Sequence, residues 1–324
     1  MFASLQWKKW LLLVFVAKFV HMPGRSVGYT EVVLNPPELE IVARVRQHIQ
    51  HLAADIGERN ANTPQSLDLA AKYIEQCFRE SDYTVHREPL PDANRGSNVI
   101  AELPGKSKQI FVIGAHYDTV PGSPGANDNG SGIAALLEIA RLLRSLNPQL
   151  TLRFVAFANE EHVDEPAEAM GSFIYARQCK ERGENIVGMW SLETLGYYSN
   201  EPGSQKYPAP FDLFYPTRGY FVAFVGDEHS RNLVHQSVRI FRSFCSFPCE
   251  GIATPDKFRD TQRSDNWGFR QAGYPALMVT DTANYRYPHY HKTTDTPSQV
   301  CYTSLARVIK LLADTARCIA LENF

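Results

Sequence analysis

Between residues 114 and 132 the chain reads Gly114-Ala-His-Tyr-Asp-Thr-Val-Pro-Gly-Ser-Pro-Gly-Ala-Asn-Asp-Asn-Gly-Ser-Gly132. An apolar run, 110–113, leads into it and a longer, mostly apolar run, 133–146, leads out. Five glycines, two prolines and two asparagines exclude a continuous helix or strand across this stretch. The pattern is therefore strand, irregular loop, helix. The loop holds His116, Asp118 and Asp128. An imidazole and carboxylates in such a loop make a candidate metal site, whose remaining ligands must come from other parts of the chain.

The rest of the pattern is compatible with that demand. Apolar residues recur at helical spacing over 37–56 and 66–80, and extended runs are expected at 83–91 and 98–103. From about residue 110 onward strands and helices alternate. Strands are expected at 110–115, 150–158, 186–192, 220–225 and 275–280, and helices at 131–146, 170–182 and 230–244. A last helix is expected to start at Thr296-Pro297, a good N-cap and first-turn pair. Residues 196–220, rich in Tyr, Pro and Gly, read as an ordered loop or lid. Alternation of this kind gives an α/β fold with a mixed, largely parallel central sheet flanked by helices on both faces. One domain is expected, from residue 30 to 324, and 44% hydrophobic residues suffice for its core.

Thirty-three basic residues balance 35 acidic ones without a long run of either sign, so no nucleic-acid footprint is expected. The start differs in character. Lys8-Lys9 precede an apolar run, 10–17, too short to span a membrane comfortably. Residues 1–29 are therefore expected to be a signal peptide or an N-terminal membrane anchor, and the protein to be exported, periplasmic or secreted. Cys245 and Cys249 are close enough to form a small disulfide loop, and no second Cys/His pair nearby would make that loop a zinc knuckle.

Polar residues gather just past the strand ends: His116, Glu160-Glu161, Glu193 and the loop after Asp281. In open α/β sheets ligands bind beyond the carboxyl ends of strands. His116, Asp128, Glu161, Glu193 and one of His289 or His291 form a set of carboxylates and imidazoles without thiolate, which suits zinc in a catalytic site. Five ligands exceed the needs of one catalytic zinc, whereas two ions sharing a carboxylate would use them all. Asp118, two residues past His116, is placed to accept the other ring N–H. Glu160, beside a ligand, could take a proton from water.

His116-Tyr-Asp118, Asp128-Asn-Gly-Ser-Gly132 before an apolar helix, Asn159-Glu160-Glu161, Leu192-Glu193-Thr-Leu-Gly196 and Pro288-His-Tyr-His291 with Asp295-Thr-Pro297 together resemble the M28 family of zinc aminopeptidases. The likeness runs from about residue 38 to the end. It implies two zinc ions per chain, one held by His116 and Glu193, the other by Glu161 and His291, with Asp128 bridging. It implies Glu160 as general base and later acid, Asp118 orienting His116, and Tyr290 as a stabiliser of the tetrahedral oxyanion. The implied substrate is a peptide with a free N-terminus. Phe247 falls where some relatives place a pocket wall, and Asp164, Glu165 and Glu168 could attract an α-ammonium.

Two departures stand out. The family commonly has Asp where this chain has Glu193, and Ser-Asp-His where it has Ser264-Asp-Asn266. Two other functions fit the same scaffold: a one-zinc glutaminyl cyclase-like acyltransferase, and a non-catalytic binding ectodomain, which would be expected to lose ligands or the base.

Overall fold

A computed structural model of the chain describes residues 18–161, 166–255 and 258–322. Eight strands form one sheet in the order β1-β2-β4-β3-β5-β8-β6-β7. They are β1 Val85–Pro89, β2 Ser97–Leu103, β3 Gln109–His116, β4 Thr151–Phe157, β5 Asn185–Glu193, β6 Val222–Asp227, β7 Cys249–Thr254 and β8 Ala276–Thr280. The middle of the sheet is parallel, because β4, β3, β5 and β8 run the same way. β1 and β2 are antiparallel at one edge, while β6 runs against β8 and pairs with β7 in parallel at the other. The expected mixed, largely parallel sheet is thus present.

The helices are α1 Pro36–Gln50, α2 Pro64–Glu80, α3 Gly130–Leu143, α4 Gly171–Glu181, α5 Arg231–Ser243, α6 Asn266–Gln271 and α7 Tyr302–Leu321. Alternate residues of each strand serve opposite faces. Phe111, Ile113 and Ala115 of β3 join the larger core with Val45, Leu136, Leu312 and Ile319, residues of α1, α3 and α7. Ile110 and Val112 join the smaller one with Tyr175, Cys179 and Phe269, residues of α4 and α6. Helix α3 lies in the thick layer, and nearly all of its residues are buried.

Three local expectations are corrected. Thr296-Pro297 opens only a short 3-10 turn, Pro297–Gln299, and α7 begins at Tyr302. Strand β7 and helix α6 were not foreseen: β7 carries Glu250 and Gly251, which break its apolar pattern, and α6 has only 6 residues. Cys245 and Cys249 are not joined; all six cysteines are free, with Cys249 buried at the start of β7 and Cys245 exposed.

The first part of the expected leader, residues 1–17, lies outside the described residues. From Lys18 onward the chain packs on α5 and β7. Phe19 and Met22 are buried, and Ser26 Oγ accepts a hydrogen bond from Cys249 N at 3.0 Å. Arg242 donates to the carbonyls of Pro23 and Gly24. Among the described residues no helix is long and apolar enough to cross a membrane.

Candidate metal centre

Parallel strands bring their carboxyl ends to one rim. His116 ends β3, Glu160 and Glu161 follow β4, Glu193 ends β5, and the loop after β8 supplies His291. The backbone at these points is unusual. Asn159, Thr194, Thr282, Ala283 and His291 all have left-handed φ values, between 42° and 80°. Conformations of this kind cost energy in residues other than glycine and gather at functional sites.

Two histidines face one another across Asp128. His116 Nε2 lies 3.2 Å from Glu193 Oε2 and 3.5 Å from Asp128 Oδ1. His291 Nε2 lies 3.2 Å from Asp128 Oδ2 and 3.4 Å from Glu161 Oε1. Each oxygen of Asp128 thus serves a different imidazole–carboxylate pair. Ligands about 2.0–2.2 Å from a tetrahedral zinc are themselves about 3.3–3.6 Å apart, so these spacings fit one ion in each half. His116, Asp128 and Glu161 also form a compact potential metal-binding group, with donor atoms within 4.8 Å of one another. His289 turns elsewhere: it is half-buried, and its Nδ1 meets Thr294 Oγ1 at 2.8 Å.

The charges at the site are strongly perturbed. Burial pushes Glu161 up to about 7, with Asp128 adding repulsion. Burial also raises Glu160 well above the usual carboxylate range, against the pull of His116 and with further repulsion from Glu161. Burial alone would raise Asp128, but its hydrogen bonds to His116 and His291 hold it below the ordinary range. His291 is raised to about 10, because the contacts with Asp128 and Glu161 outweigh burial. Several buried carboxylates concentrated around two imidazoles favour bound cations.

The supporting contacts differ from the expectation at Asp118. His116 Nδ1 is nearer the Asp118 carbonyl, at 3.2 Å, than its carboxylate, at 3.6 Å. The carboxylate instead accepts from the backbone N–H groups of Glu160 and Glu161, at 3.1 and 3.0 Å. Asp118 therefore holds the β4 end in place as well as touching the His116 ring.

Several positioning groups had no role in the sequence reading. Asp295 accepts from the amides of Asn127 and Asp128 and from Tyr287 Oη. Asn129 Nδ2 donates to Leu192 O and its Oδ1 accepts from Thr194 N, which staples the loop to both sides of Glu193. Ser264 Oγ donates to Glu193 Oε2 at 2.7 Å. Asn266 donates instead to the Thr261 carbonyl, away from the candidate ligands. The available signal was the concentration of Asn and Asp around Asp128, side chains that readily bond nearby backbone.

Beside these residues lies an open cleft. Its apolar walls include Tyr207, Phe211, Phe221, Ile252 and Met278, and Tyr290 lines it as well. The Tyr290 ring stacks on His291, 3.8 Å between centroids. Phe247 is no part of this wall: it is buried against Tyr198 and Tyr220, because β7 begins just after it and carries it inward. Asp164 and Glu165 lie outside the described residues, and Glu168 is exposed.

Carboxylates and imidazoles gathered on the rim of an α/β sheet, beside an apolar cleft, suit a metal-dependent enzyme. The model of peptidase family M28 matches residues 98–316, and the chain belongs to that family. The uncharacterized protein YfbL of Escherichia coli (strain K12) is 31% identical over 314 residues, covering 93% of this chain and 96% of that protein. Leucine aminopeptidase 1 of Trichophyton equinum is 28% identical over 233 residues, 66% of this chain and 56% of that protein, so the chain spans about half of that relative's length. Among solved structures, the zinc aminopeptidase BSAP of Bacillus subtilis superposes with a TM-score of 0.69 at 16% identity, covering 87% of this chain and 95% of that one. A glutaminyl cyclase from Fimbriiglobus ruber superposes with a TM-score of 0.64 at 21% identity, covering 90% and 97%. Likeness at these identities establishes the shared fold.

Proposed function

We propose that the chain is a two-zinc aminopeptidase that removes the N-terminal residue of peptides. The observation that carries this reading is Asp128, whose two oxygens face His116 and His291, each imidazole having its own second carboxylate. His116 and Glu193 would hold one zinc, Glu161 and His291 the other, with Asp128 shared. Zinc bound there would supply Lewis acidity for the attacking water and the scissile carbonyl.

The chain's own groups account for the remaining steps. Glu160 is buried in the cleft wall and its carboxyl is raised, so it can accept a proton from water and return it to the leaving amine. Tyr290 lines the same cleft and can donate to the oxyanion that develops on the carbonyl oxygen. The carboxylate-rich end attracts a free α-ammonium, and the aromatic walls suit an apolar first side chain. Export through residues 1–29 belongs to the same reading.

A panel of aminoacyl amides with and without N-blocking groups tests it. The purified protein should cleave free-amine substrates, fastest with large apolar side chains, and lose this activity to a chelator. Equal rates on blocked and free substrates would contradict the reading. The cyclase alternative, which needs one zinc, predicts conversion of N-terminal Gln to pyroglutamate without release of an amino acid.

A further inference from the structure

The stretch from Tyr117 to Asn129 has no regular secondary structure, so its backbone groups need partners from outside. Two side chains of opposite charge provide many of them. Arg59 is fully buried. Its Nε donates to Tyr117 O at 2.6 Å, its Nη1 to Pro124 O at 2.7 Å and its Nη2 to Gly125 O at 2.9 Å. Two weaker bonds reach Gly57 O and Leu52 O, where α1 runs out. The Arg59 backbone is also stitched to the loop, through Thr119 N to Arg59 O at 3.0 Å and Arg59 N to Thr119 Oγ1 at 3.2 Å. From the opposite side Asp295 takes the amides of Asn127 and Asp128, at 2.8 and 3.0 Å. A cation thus grips carbonyls and an anion grips amides of a single loop.

Burying a guanidinium is costly, and here the hydrogen bonds of its planar fork go to backbone oxygens. Burial lowers it to about 10, while Asp295, Asp118 and Asp128 favour its charged form. At Gly125, which has φ +63°, an added Cβ would meet Thr119 Cγ2 at 2.3 Å and Arg59 Nη2 at 3.1 Å. The fork therefore sits tightly against the turn between His116 and Asp128.

We propose that Arg59 is a positioning residue for the metal centre: its guanidinium fixes the loop that sets His116, Asp118 and Asp128 relative to one another. The inference rests on the reading of those residues as a zinc site. A lysine cannot replace the fork, because one ammonium cannot meet three carbonyls in a plane.

The test measures the zinc dissociation constant of the full chain by competition with a chromophoric chelator. Wild type, Arg59→Lys, Arg59→Met and Thr119→Val are compared, with thermal unfolding of each metal-free protein as a check on folding. Both Arg59 variants are expected to bind zinc about 10–100-fold more weakly. Their kcat should return to within about threefold of wild type at saturating zinc with KM unchanged, a pattern that general misfolding would not give. A further variant, Arg59→Ala, should bind zinc as weakly as these two, and added guanidinium should tighten its binding. Thr119→Val, which removes only the bond from the Arg59 backbone N–H, is the control and should bind zinc within about threefold of wild type; if neither Arg59→Lys nor Arg59→Met folds, Arg59→Ala decides through the guanidinium rescue. Zinc affinity within about twofold of wild type in the deciding folded variant overturns the inference. A wild-type protein that binds no zinc refutes the functional reading instead.

Discussion

Glu160 and Glu161 are neighbours in sequence with different tasks in the proposed mechanism, and their backbones show how the separation is made. Asp118 takes the N–H of each, and Asn159 ahead of them has φ 59°, so the chain turns sharply where β4 ends. Glu161 then meets His291 at 3.4 Å, while Glu160 Oε2 stays 3.9 Å from His116. Glu160→Gln preserves shape and removes the proton acceptor. It should lower kcat by about 10²–10⁴-fold with zinc content unchanged. A variant that keeps most of its turnover would remove Glu160 from the mechanism. At this scale His116, Glu160, Glu161 and Glu193 were legible as candidates, because each lies at or just past the end of an apolar strand, whereas Asp128 and His291 lie within loops and His291 was preferred to His289 only through the family resemblance. The roles of Arg59 and Asp295 were not legible. A buried arginine that bonds backbone carbonyls has no sequence signature, and Asp295 lies far from the loop it holds, bonding Asn127 across 168 positions.

Helix α3 links the site to the core. Its N-terminus follows Asp128 directly, and its length is buried between the sheet and the helices above. One charge on it is buried as well. Glu138 accepts from Arg44 Nε at 2.8 Å and Arg141 Nη2 at 2.9 Å, with His48 Nε2 3.7 Å away. Burial alone would raise this carboxyl, but His48, Arg141 and Arg44 together bring it from the ordinary 4.5 down to about 2. A lowered folded-state value gives stability that is full above pH 4.5 and is lost as pH falls toward 2. Glu138→Gln should therefore cost about 2–3 kcal/mol at pH 7, and less as the pH approaches 3. Thermal unfolding across pH checks this, and a gap between the two proteins that stays constant with pH would contradict it. Helical periodicity foretold α3 well, since most of one face is Ile, Leu and Ala. It missed β7 and α6 because tertiary contact makes them: Gly251 packs under Val238 and Met22, and an added Cβ on Gly268 would meet the backbone of Phe173 at 2.6 Å.

At the scale of the whole molecule, the parallel middle of the sheet explains why residues from four strand ends meet. Strand order β4-β3-β5-β8 puts Glu160 and Glu161, His116, Glu193 and the His291 loop side by side on one rim. Alternating strands and helices made that rim predictable from sequence. The course of the loop over 196–220 was not, because its aromatic residues fit a core as well as a cleft wall: Tyr207 and Phe211 line the cleft, whereas Tyr198 packs in the core against Tyr220 and Phe247. The central claim is that this rim holds two zinc ions and that turnover requires both. It is tested most directly by titrating zinc into metal-free protein while measuring bound metal and the cleavage rate of a free-amine aminoacyl anilide on the same samples. Two zinc ions should bind per chain, with the rate reaching its plateau only as the second site fills. Full aminopeptidase activity with a single ion bound would contradict the account.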